Sequence, residues 1–418
     1  MARSSHVGPP YQRRPKPRTA GAWRTGARRY VRDALEAGVQ AYRKGDLEHA
    51  KSQAETALHD MPNQPDALHL MALIAHQSGD HDLAVRQLER ALAVTPDNVS
   101  FQNNLAMMYQ AAGRMEDARA TLGRLLEEQP EYHGAHYNLA NLLKAEGDLA
   151  SARNHFRLAV LHAPAFADGH VNLVHTLLEM DEFEEAVDAA KTAVASAPNS
   201  AAVFAALAAA LMTRNDFTAA AEASRKAIAI DALPGEAYAT LGNALIGLGR
   251  HDAAVDPLHR AAAQLPERAD IHNSVGVALL EIGQLEAAEA ALRRALDIAP
   301  ALVEGHSNLG HLLNRDNRPE EAAAHAWRAV ELDAGFAAGW VNLAGALLAL
   351  DQPAEALTAA ERAAALTPDS ADVHNCLGSA LDALARNDEA RAAYERAIAL
   401  APDMAEAHFN RALHFLMA

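Results

Sequence analysis

The chain has 418 residues, of which half are apolar but only 5% aromatic, with 37 Lys and Arg against 54 Asp and Glu; that balance of small and aliphatic side chains suits stacked helices. Its single cysteine, Cys376, excludes an intrachain disulfide and a cysteine-based zinc site. The longest wholly apolar run, Ala201 to Met212, is too short to span a bilayer.

The first segment, residues 1–30, is rich in Pro, Gly, Ser and Arg and has no helical period, so it reads as a disordered arm. Residues 1–32 carry nine Lys or Arg and no acid, which leaves 28 bases against 54 acids in the remainder. Cations beside Tyr11, Trp23 and Tyr30 have the makings of a nucleic-acid contact. A solvated tail that folds back on an acidic array is the expectation instead, and nucleic acid is not an expected partner. The arm lacks the apolar stretch of a secretory signal, because Pro and Lys follow Arg13-Arg14. A cytoplasmic location is therefore expected.

Residues 31–418 repeat. Alanine returns every 34 residues from Ala50 to Ala390, and a second follows seven residues later from Ala57 to Ala397, with Leu125 the exception. Seven residues are about two helical turns, so both small side chains share one helix face and let neighbouring helices approach closely. No insertion breaks the count, which predicts an array of near-identical hairpins with units starting near 31, 65, 99, 133, 167, 201, 235, 269, 303, 337, 371 and 405.

Each unit reads helix, turn, helix, turn. In the unit from His133 to Phe166, His136, Leu139, Ala140 and Leu143 recur at helical spacing. Gly147-Asp148 interrupts the pattern, Ala152, Phe156, Ala159 and Val160 resume it, and Pro164 closes the unit. Prolines punctuate other units at 62, 96, 130, 198, 266, 300, 368 and 402. Pro319 and Pro353 sit at first-turn positions, where proline is harmless.

This pattern resembles the tetratricopeptide repeat. Tyr238, Leu241, Gly242, Gly249, Ala254 and Ala261 carry its signature in one unit, and Trp340, Leu343, Ala344, Ala356, Ala363 and Pro368 carry it in another. The resemblance covers about residues 31 to 418 and implies an all-α, right-handed α-solenoid superhelix of about eleven and a half hairpins. It also implies a concave surface lined by the first helix of each pair.

Beside the core positions of the first helices runs a polar stripe: Asp168, Asn172, His175 and Glu179 in the fifth unit, and Glu304, Asn308, His311 and Arg315 in the ninth. Asparagine recurs at one place in it, as Asn104, Asn138, Asn172, Asn308, Asn342 and Asn410, with Ala206, Thr240, Ser274 and Cys376 at the same place elsewhere. An amide offers two donors and an acceptor, matching a peptide's N–H and C=O. Adjacent first helices about 10 Å apart match roughly three residues of an extended chain. These six asparagines are the predicted peptide-binding residues. Segments such as residues 135–143 and 164–173 are similar to the repeats of O-linked N-acetylglucosamine transferase-type proteins, in which such a ladder holds protein substrates. Nothing in this chain resembles the sugar-nucleotide domain of that family.

The ladder's gap from Ala206 to Ser274 coincides with a displaced Pro234 and with Pro257 inside a second helix, where it should cause a kink. A softened joint is expected there, dividing the ladder into two stretches, Asn104 to Asn172 and Asn308 to Asn342. His136, His170, His272, His306, His374 and His408 recur 34 or more residues apart in separate units. They take the place filled by Phe204, Tyr238 and Trp340, so they read as packing residues and no metal or other cofactor is assigned.

Catalytic signals are missing. Gly247-Leu248-Gly249 follows a helix and lacks a third glycine in phase. Glu184, Glu185, Glu320 and Glu321 open second helices, where negative charge complements the helix dipole. The last unit ends in Phe409, Leu413, Phe415, Leu416 and Met417, an apolar end that predicts a partner or a further domain. The reading is a non-catalytic scaffold that binds an extended peptide in its groove. The alternative is the substrate-recognition arm of a glycosyltransferase whose catalytic domain lies outside this chain.

Overall fold

The structure is a computed structural model that describes residues 25–231 and 235–417. Residues 1–24 of the arm, Pro234 and Ala418 lie outside the described residues. Two compact units, Met1–Ala206 and Leu207–Ala418, divide the chain.

In the first unit, α1 (Thr25–Arg43), α2 (Leu47–Asp60), α3 (Pro65–Gln77), α4 (His81–Val94), α5 (Val99–Ala111), α6 (Met115–Glu128), α7 (His133–Ala145), α8 (Leu149–His162), α9 (Ala167–Glu179) and α10 (Phe183–Ser196) follow one another as antiparallel pairs. The division falls inside α11 (Ala201–Thr213). The second unit continues with α12 (Phe217–Ile230), α13 (Gly235–Gly247), α14 (His251–Gln264), α15 (Ala269–Glu281), α16 (Leu285–Ile298), α17 (Val303–Arg315) and α18 (Pro319–Leu332). It closes with α19 (Ala337–Ala349), α20 (Pro353–Leu366), α21 (Ala371–Ala383), α22 (Asn387–Leu400) and α23 (Ala405–Met417). Among the described residues these 23 helices are accompanied by no strand, so the fold is all-α. α1 takes in residues 25–30, which the sequence pattern assigns to the arm. No proline follows Pro17 there to stop the helix from extending backwards.

The marked small residues pack where consecutive helices meet. Every one of Ala50 to Ala390 and Ala57 to Ala397 on the 34-residue count, with Leu125 among them, is at most 1% exposed. The turn inside each hairpin is set by a left-handed residue. Six units use glycine there, Gly45, Gly79, Gly113, Gly147, Gly249 and Gly283, at φ 68 to 85°. Asp46, Asp80, Asp148 and Asp216 then cap second helices by accepting backbone N–H bonds from His49, Leu83, Ser151 and Ala219 at 3.0–3.1 Å. Pro319 and Pro353 stand at the first positions of α18 and α20. α14 runs through Pro257 at the same fourteen-residue length as the other second helices, with the proline ring buried against the core.

Candidate functional site: an amide column along the first helices

The six predicted asparagines occupy one register position of the first helices, and each reaches back to the first helix of the preceding hairpin. Asn104 Nδ2 donates to His69 Nε2 at 2.8 Å, and Asn138 Nδ2 donates to Asn103 Oδ1 at 2.8 Å. Asn172 Nδ2 donates to the Tyr137 hydroxyl and to Asn141 Oδ1, both at 3.0 Å. In the second unit Asn308 Nδ2 meets Asn273 Oδ1 at 2.9 Å, and Asn410 Nδ2 meets Asn375 Oδ1 at 3.1 Å. Asn342 Nδ2 reaches Ser307 Oγ at 2.9 Å and Ser307 O at 3.0 Å.

Apart from the added contact to Asn141, the acceptor lies 35 residues upstream every time. One position along, Cys376 points its thiol at the Val341 carbonyl across 3.9 Å. Burial pushes that thiol up to about 12, so it stays protonated and unreactive. The column is therefore a set of stitches between successive first helices. At the gap the stitches stop: Ala206 has no polar group, and Thr240 turns its hydroxyl to its own helix, on Glu236 O at 2.9 Å.

The partners His69, Asn103, Tyr137, Asn273, Ser307 and Asn375 are what single-residue periodicity overlooks. Their signal is a polar residue immediately before the ladder position, 35 residues ahead of the next ladder residue. Asn104, Asn138, Asn308 and Asn410 each spend one N–H on the neighbour, whereas Asn172 and Asn342 each meet two acceptor atoms. Those four keep a second N–H, and an amide also carries an acceptor oxygen, the complement of a peptide unit.

Two charged residues of the flanking stripe are engaged. Glu179 pairs with Lys144 at 2.7 Å, and Arg315 donates to Leu280 O at 3.4 Å. His311 is held below the ordinary imidazole range by burial and then by Arg315.

The histidine column serves the turns. Nε2 of His136, His170, His272, His306, His374 and His408 lies 2.7–3.1 Å from the carbonyl of the proline six residues earlier. Trp340 does the same, with Nε1 donating to Ala334 O at 3.0 Å. Each ring thus locks the start of a first helix onto the closing turn before it. At the far end α23 exposes Phe409, Leu413 and Phe415, while Ala407 and His414 face inward. No described helix is long and apolar enough to cross a membrane.

Tetratricopeptide repeat models match residues 75–143 and 143–210, 35–99 and 240–302, 303–326, 337–380 and 371–404. No curated protein matches the sequence. Among solved structures the chain is similar to the APC/C hetero-tetramer Cut9–Hcn1, at 14% identity and a TM-score of 0.49 over 92% of this chain and 96% of that one. It is similar also to yeast Tom70, at 18% identity and a TM-score of 0.41 over 93% and 96% of the two chains. A third likeness is to YrrB, a TPR protein with an unusual peptide-binding site, at 18% identity and a TM-score of 0.37 over 44% of this chain and 95% of that one.

Proposed function

We propose that this chain, which belongs to the tetratricopeptide repeat family, is a non-catalytic scaffold that holds an extended peptide segment along its amide column. The observation that carries the reading is the shared register of Asn104, Asn138, Asn172, Asn308, Asn342 and Asn410. The stitches hold these amides in one orientation, which lowers the ordering cost of binding. Backbone groups of a ligand would meet the amide groups that the stitches leave over, with little choice among ligand side chains. The gap from Ala206 to Ser274 separates two binding stretches, one in each unit. The exposed Phe409, Leu413 and Phe415 supply a second docking surface for a protein partner. No observation favours the glycosyltransferase-arm reading over this one.

The test is a peptide array probed with the full chain. Captured sequences should tolerate side-chain replacement by alanine and lose binding when backbone amides are N-methylated at every third residue. Asn138→Ala and Asn308→Ala, checked for folding by circular dichroism, should each weaken capture. Capture that survives both N-methylation and the two substitutions would remove the amide column from the binding mechanism.

A further inference from the structure

His136 on α7 and His155 on α8 face each other Nδ1 to Nδ1 at 2.9 Å, and five repeats later His306 on α17 and His325 on α18 do the same at 3.0 Å. In both pairs the first ring has its other nitrogen on a carbonyl: His136 Nε2 is 2.8 Å from Pro130 O, and His306 Nε2 is 3.1 Å from Pro300 O. A carbonyl only accepts, so Nε2 carries the hydrogen and Nδ1 of the neutral ring carries the lone pair. The hydrogen between the rings therefore belongs to Nδ1 of His155 or His325. Those two rings keep a lone pair at Nε2.

A first proton enters at that Nε2 and leaves the N–H···N bond intact. A second proton has only Nδ1 of His136 or His306 to enter, where it would set two N–H groups against each other. We propose that the two imidazole pairs are acid-released latches, each joining the two helices of its hairpin while it carries at most one extra proton and parting when it carries two.

The surroundings favour release. His162 of α8 lies 6.0 Å, ring to ring, from His136, and repulsion from His162 acts on both His133 and His136. Around α7 and α8 four ion pairs form, Lys144 with Glu179 of α9 at 2.7 Å, Arg119 of α6 with Glu146, Arg153 with Glu182 at 2.7 Å, and Arg157 with Glu185 of α10, while Asp148 accepts from the Ser151 N–H. Asp168 of α9 acts on Tyr137, one residue beyond His136. In the second hairpin Val303 and Leu332 replace His133 and His162. There Arg328 acts on His306, and Arg293 of α16 acts on His325, with Glu321 opposing it. Glu289 of α16 is shared by Arg293 and Arg318 at 2.6 and 2.9 Å, and α19 has no charged residue.

Burial is the leading cause that holds all four rings below 6.5, and the partner ring adds to it at His155 and His325. The folded rings thus bind fewer protons than the unfolded chain. Their stabilisation is complete above 6.5 and drains away as the pH falls below it.

Hydrogen exchange of the full chain, corrected for intrinsic rates, tests this at about pH 7.5 and about pH 5. The hairpin of α11 and α12 contains no histidine and is the internal control. Protection in α7–α8 and α17–α18 should fall by up to about tenfold per pH unit more than in the control. His155→Gln and His325→Gln keep a donor toward the facing Nδ1 but cannot take up a proton. Each should reduce the excess loss in its own hairpin, leaving only the share of the other rings there such as His133 and His311, and should leave the other hairpin's response unchanged. An equal loss in all three hairpins, or an unchanged acid response in the hairpin carrying the substitution, overturns the proposal. Should a glutamine variant fail to fold, imidazole nitrogen shifts of the unmodified chain decide. His155 and His325 must charge first while His136 and His306 stay neutral, and independent titration of both rings with one midpoint refutes the latch.

Discussion

Asn138 donates its side-chain N–H to Asn103 Oδ1 at 2.8 Å between two residues that are each no more than 9% exposed, and five repeats later Asn308 repeats the bond to Asn273 at 2.9 Å. Removing one member leaves the other's polar group buried without its partner, which costs about 1–3 kcal/mol. Asn138→Ala should therefore destabilise the first unit by that amount. Asn103→Ala combined with Asn138→Ala should cost less than the sum of the two, with a coupling of about 0.5–1.5 kcal/mol. Urea denaturation followed by circular dichroism measures the cycle, and strict additivity would mean that the amides contribute independently.

That pair also marks where sequence reasoning stops. The 34-residue count, the paired alanines and the turn residues were legible because each depends on one hairpin's own packing, and the buried alanines show that packing repeated. The partners of the asparagines depend on how far one first helix is offset from the next, and no single repeat contains that offset. Hence Asn104 and Asn342 share a column, yet one amide meets a histidine ring and the other a serine. The histidines were legible as packing residues because their neighbours in the count are Phe204, Tyr238 and Trp340. Their bond to a carbonyl six residues back needed the turn's geometry. The transferase likeness rests on repeat sequence alone, and the fold adds no residue to it.

Ala385 holds the left-handed turn position at φ 56°, where six other hairpins place glycine and Asp181, Asn215, Asn317 and Asp351 fill the rest. A left-handed conformation costs an L-residue about 1–2 kcal/mol, and alanine has no side-chain group to offset it. Glycine would relieve that strain but would give back about 0.4–1 kcal/mol through a freer unfolded chain. Ala385→Gly should thus stabilise the second unit by up to about 1 kcal/mol. A loss of stability in urea would show that the turn is not strained.

Small residues at the helix crossing are matched to what faces them. A methyl group built on Gly276 would stand 2.5 Å from Leu292 Cγ, whereas on Gly310 its nearest neighbours, Ala322 O and Ala326 N, are at 3.3 Å. Gly276→Ala should cost about 1–3 kcal/mol by overpacking. Gly310→Ala should be close to neutral, since alanine's better helix propensity, worth about 1 kcal/mol, offsets a slight crowding. Adding Leu292→Ala to Gly276→Ala should recover part of the loss relative to Leu292→Ala alone. Equal effects at Gly276 and Gly310 would dissociate crossing size from stability.

His69 accepts from Asn104 through Nε2, so in the folded chain it is neutral with its hydrogen on Nδ1. Burial pushes it down from 6.5 to about 4, beneath the ring of Phe101 at 4.6 Å. Because the unfolded chain takes up the proton first, the stabilisation is whole above 6.5 and is lost as the pH falls from there toward 4. Between about pH 7 and about pH 5 that loss is on the order of 2 kcal/mol. His69→Gln retains an acceptor for Asn104 and removes the titration. Its stability should decline less than that of the unmodified chain over the same interval, measured by urea denaturation at each pH. Identical acid sensitivity in the two proteins would place the proton uptake elsewhere, with the histidine pairs of α7–α8 and α17–α18 the next rings to replace.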